Sequence, residues 1–92
     1  MHLKCTKVVN NPEKKEAVIW VKDNDDNIPG IMRLSQGTRI DLFEVWVFDK
    51  KDKLFRYNFV ESNYIRTTET AMDGEFLVRK MLVTYRSMEV LG

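Results

Sequence analysis

The stretch DLFEVWVFDKKDKLFRYNFVE, residues 41–61, constrains the fold of this chain more than any other segment. Two runs of bulky, alternating side chains flank a short lysine-rich segment, which is the pattern of a β-hairpin. Centring the turn between Lys51 and Asp52 sets Trp46 opposite Tyr57, Phe48 opposite Phe55 and Glu44 opposite Phe59. The other face then pairs Val47 with Arg56, Val45 with Asn58 and Phe43 with Val60. Aromatic cross-strand pairs contribute about 0.2–1 kcal/mol each, so the first face is expected on the core. The second face, with Phe43, Val45 and Val47, also needs cover. A barrel, a second copy or a partner could supply it.

Residues 2–9, 17–22, 31–35, 39–49 and 53–62 read as strands, from alternation and from β-branched and aromatic content. Polar stretches NNPEKKE and DNDDNIPG separate the first three, and Gln36-Gly37-Thr38 reads as a tight reversal. The last segment reads as a helix over 70–88. At 100° per residue Leu77, Met81, Tyr85, Val78 and Leu82 share one arc, with Asp73, Lys80, Thr84 and Ser87 largely opposite. Thr70 followed by Asp73 resembles a capping box. Met72, Phe76 and Val83 form a weaker second stripe. The expected architecture is α+β: a four- to five-stranded antiparallel meander sheet, open or curled, with one C-terminal amphipathic helix packed on it. The whole of 1–92 is expected to be one domain, because 92 residues support one core.

Composition narrows the function classes. Fifteen basic and fourteen acidic residues leave a net charge of +1. A duplex-DNA binder carries a much stronger basic excess. A single cysteine, Cys5, forms no internal disulfide and suits a reducing interior. No run reaches the roughly 18 apolar residues of a spanning helix, and the N-terminus lacks a signal-like apolar region. A soluble, cytoplasmic protein without a membrane partner is expected, in the host cytoplasm if virus-encoded.

Catalytic and metal chemistry find little support. With one His and one Cys, a structural zinc site of four nitrogen and sulfur ligands is excluded. Cys5 alternates with Leu3 and reads as a small buried hydrophobe. Asp23, Asp25 and Asn27 match the first three ligand positions of a calcium loop, but Ile28 and Leu34 stand where glycine and glutamate are required. Glu44, among aromatics, reads as lying at a sheet edge or paired with a nearby Arg or Lys rather than as a general acid. No cofactor, metal site or catalytic residue is assigned, and the chain is expected not to be an enzyme.

Two binding readings remain. In the first, the protein is a small interaction module, a regulator or inhibitor of the kind phages and mobile elements encode. It would be homodimeric and touch an unidentified protein partner through Phe43, Val45, Val47, Met72, Phe76 and Val83. In the second, less favoured, it binds single-stranded nucleic acid. Lys50, Lys51, Lys53 and Arg56 near the hairpin tip would meet phosphates, while neighbouring rings stack on bases.

Overall fold

A computed structural model describes residues 1–48, 51–74 and 76–91, with the backbone alone for Asp73 and Phe76. Among these residues the elements are β1 (His2–Asn11), β2 (Glu16–Lys22), α1 (Ile28–Ser35), β3 (Ile40–Phe48), β4 (Leu54–Asp73), β5 (Phe76–Thr84) and β6 (Ser87–Leu91). The strands form one sheet in the order β3-β1-β2-β5-β4-β6, and β3 pairs a second time, with β4. That second ladder closes five strands into a barrel. β1 and β3 run parallel, with β2 and α1 as their crossover, and the other ladders are antiparallel.

The long β4 makes closure possible. Its first half pairs with β3 as far as Ser62, and its second half, from Asn63, pairs with β5. Glu61, at positive φ (51°), marks the joint. β6 continues the line of β5 along β4 after a break at Tyr85 and Arg86, whose amides donate to the carbonyls of Lys15 and Val60.

This architecture corrects the expected fold in three places. The C-terminal helix over 70–88 is absent, and those residues end β4 and form β5 and β6. β5 is apolar on both faces because both are covered. Met81 and Val83 point into the core, while Val78 is buried on the outside of the barrel beside Trp20. A strand with two apolar faces loses its two-residue period, and its side chains then gather into an arc on a helical wheel. Arg79 and Lys80 lie on opposite faces, and each meets a carboxylate, Asp23 at 3.3 Å and Glu69 at 3.0 Å.

The second correction is the only helix among the described residues, α1, which occupies the segment read as a strand over 31–35. Pro29 stands in its first turn, where a missing N–H costs nothing. Ile31 and Leu34, three apart, turn inward beneath the barrel. The helix approaches β1 so closely that a Cβ on Gly30 would lie 2.5 Å from Leu3 Cδ2.

The third correction is the hairpin register. Phe43 pairs with Phe59, Val45 with Tyr57, Trp46 with Arg56 and Phe48 with Leu54, one residue away from the expected alignment. A slip of one exchanges the faces. Phe43 and Val45 are fully buried, while Trp46 and Phe48 point outward. Phe43 stacks on Phe59 at 5.0 Å, and Tyr85 meets Phe59 edge-on at 5.5 Å. Such contacts contribute about 0.5–1.5 kcal/mol each beyond the burial of area.

Asn27 joins the helix to the barrel. Below Cys5 and Val21, β1 and β2 part, and the buried Asn27 amide takes the place of a strand partner. The Lys4 amide donates to its Oδ1 at 2.9 Å, and its Nδ2 donates to the carbonyls of Lys4 and Lys22, both at 2.8 Å. Each backbone group stranded in a protein interior costs about 1–3 kcal/mol. Asn27→Ala is therefore expected to lower stability by about 3 kcal/mol in urea titration followed by far-UV circular dichroism. A loss below about 0.5 kcal/mol would contradict this role.

Candidate functional site

A closed barrel has only its outside to offer. On the outside of β1, β2 and β5 the registers place Lys7 beside Trp20 and Trp20 beside Lys80. The ammonium groups of Lys7 and Lys80 lie 5.2 and 5.4 Å from the indole. Around the other side of β1, Lys4 neighbours Trp46, which neighbours Arg56. Both tryptophans of the chain thus stand outside the barrel, each between two cations in a row across three strands.

A β-bulge creates this arrangement. Lys4 and Lys7 are three residues apart, so regular alternation would send one of them inward. The register shift between Cys5 and Lys7 absorbs Thr6 as an extra residue, and both lysines emerge on the outer surface. Leu3, Cys5 and Val8 face or pack against the core throughout.

The band carries acid as well as base. Lys4 pairs with Asp26 at 3.1 Å, and Lys80 with Glu69. Trp46 donates its Nε1–H to Glu44 at 2.7 Å and carries the exposed His2 ring stacked on it at 4.4 Å. Leu42 and Phe48, both more than half exposed, extend the same outer face of β3.

The residues proposed for a protein interface scatter. Phe43, Val45 and Val83 are fully buried, and Val47 packs against the core. Met72 is 65% exposed on β4, and the Phe76 side chain lies outside the described residues. The described ones form no common surface, and closure of the barrel removes the uncovered face that argued for one. Of the tip cations, Lys50 lies outside the described residues. Lys51 is exposed, Lys53 approaches the Phe55 ring at 5.1 Å, and Arg56 joins the Trp46 row.

Lys4, Lys7, Trp20 and Lys80 were not among the residues singled out by sequence. AVIWVK did contain a signal, since alternation opposes Trp20 to Ala17, Ile19 and Val21 and so places an indole outside. Its neighbours depend on long-range pairing.

The acidic loop is used structurally. Asp23 holds Arg79, Asp26 holds Lys4, Asn24 accepts from the Asn27 amide, and Asn27 is interior. Among the described residues, no group of three or more His, Cys, Asp or Glu side chains is arranged to hold a metal ion. No described helix is long and apolar enough to cross a membrane. No protein-family model, curated protein or solved structure matches this chain.

Cys5 is free and buried, and burial pushes its thiol well above the usual cysteine range, with Lys22 opposing weakly. The thiolate is the reactive form, so the folded protein keeps this sulfur inert. At pH 8, iodoacetamide is expected to alkylate Cys5 at least 100-fold more slowly in the native protein than in 8 M urea, read by intact mass. Equal rates would place the thiol at the surface.

Proposed function

We propose that this protein binds single-stranded nucleic acid on the outside of its barrel. Trp20 and Trp46 serve as stacking sites, and Lys4, Lys7, Lys80 and Arg56 as phosphate contacts. The observation that supports this reading is the placement of both indoles outside the core, each between two cations. Bases stack on aromatic faces while ammonium and guanidinium groups meet the backbone. Exposed His2 adds a ring to the Trp46 stack, and the hairpin lysines Lys51 and Lys53 extend the positive surface beyond Arg56.

The alternative contact module, with its expected dimer, loses its argument once Phe43, Val45 and Val83 belong to the core. The reading is one of binding without catalysis, and a reducing compartment such as the cytoplasm suits the single buried thiol.

Charge sets the expected strength. Asp26, Glu44 and Glu69 offset part of the cationic band, so binding is expected to be weak and tolerant of sequence. About four phosphate contacts give a slope near −3 for log affinity against log salt. Titration of labelled 12-nucleotide strands at 50 and 200 mM salt is expected to show binding that weakens with that slope. Trp46→Ala is expected to cost about 1–3 kcal/mol of it. Absence of binding at 50 mM salt, or an unchanged affinity in Trp46→Ala, would overturn the reading.

A further inference from the structure

One groove on this surface has a shape and chemistry of its own. It lies beside Trp20, with a volume of about 310 Å³. Val78 and Ala71, cross-strand neighbours on β5 and β4, are both apolar and line it. The Trp20 indole and the Met72 thioether chain provide further apolar surface, and Lys7 and Lys80 complete the lining beside the indole. Thr6, the bulge residue of β1, lies at its edge.

We infer that this groove receives one unstacked base, with the adjoining phosphate held between Lys7 and Lys80. The inference rests on the proposed function and specifies which part of the surface engages the strand most closely. An apolar floor beside an indole suits the flat face of a base, and two ammonium groups suit the phosphate attached to it. Met72, unbranched and 65% exposed, can fold over rings of different outline. The side chains lining this groove offer a base edge only the Thr6 hydroxyl, the indole N–H and the two ammonium groups, with no paired donor and acceptor of an amide, so it tolerates different bases. The chemistry it recognises is a ring joined to a phosphate, whether as a free nucleotide or as one unit of a strand.

Another groove, about 220 Å³, differs in kind. Val9, Val18, Ala17 and Leu82 line it with Asn11 and Glu16, and its lining includes no cation. It offers an anionic ligand no opposite charge, and Glu16 repels one.

The test uses the full chain with Trp46→Phe, so that Trp20 is the sole indole. Uridine monophosphate, uridine, inorganic phosphate and a 12-nucleotide oligouridylate are titrated while Trp20 fluorescence is recorded. Quenching is expected with the strand and, at least tenfold more weakly, with the monophosphate. Uridine and phosphate are expected to be weaker still. In the otherwise native chain, Ala71→Leu, which fills the groove, is expected to lower strand affinity at least fivefold. Lys7→Glu, at an exposed position, should do the same at low salt and serves if Ala71→Leu fails to fold. A strand that binds Ala71→Leu as it binds the parent, or that quenches Trp20 while the monophosphate does not, would overturn the pocket and leave the surface reading intact. Binding that neither disturbs Trp20 nor weakens in Lys7→Glu would overturn the pocket and withdraw the Trp20 row from the surface as well. Failure of the parent chain to bind any strand would remove both.

Discussion

The ladder between β3 and the first half of β4 decides what this protein keeps inside. With β1 on its other edge, β3 becomes an interior strand of a closed cylinder. Phe43, Val45 and Phe59 then pack with Leu3, Ile19, Met81 and Val83. Each such side chain contributes about 1.5–3 kcal/mol on full burial. A chain of this length has no second core, so that one cluster carries most of the folding free energy. The apolar second face of the ribbon needs no partner, because the chain's own remaining strands cover it.

Closure also fixes the outer surface. Once the inward positions are assigned, every alternate side chain must stand outside, tryptophans included. β1 connects the two tryptophan rows, since it lies between β2 and β3. Its bulge at Thr6 brings Lys4 and Lys7 to the same side, one for each row. The folding constraint and the proposed binding band therefore share a strand, and a change in the β1 register would disturb both. The Asn27 amide helps to hold that register where β2 leaves β1.

Four strands were legible in the sequence, while the fold class was not. Strands expected at 2–9, 17–22, 39–49 and 53–62 correspond to β1, β2, β3 and the first half of β4. The failures have physical causes. Ile31 and Leu34 lie three apart in a segment too short for a full helical pattern, so α1 read as a strand. β5 is buried on both faces, one by the core and one beside Trp20, and that coverage hid its alternation. The hairpin register was missed by one because the loop sets it, and the apparent ring pairs of Trp46 with Tyr57 and Phe48 with Phe55 favoured the wrong face. Of the proposed binding surface, Arg56, Lys51 and Lys53 were named from sequence, with Trp46 among the rings beside them. Trp20 between Lys7 and Lys80 was not, since that row joins residues from three distant segments.

Amide hydrogen exchange along β3 tests closure most directly. The Glu44 amide donates to the Met1 carbonyl at 3.0 Å, so Glu44 and Trp46 direct their N–H groups toward β1. Phe43 and Val45 direct theirs toward β4, because successive groups point to opposite edges. A closed barrel protects all four amides to a similar degree. Glu44 and Trp46 exchanging at the rates of an unstructured peptide, with Phe43 and Val45 protected, would mark β3 as a free edge and contradict the account.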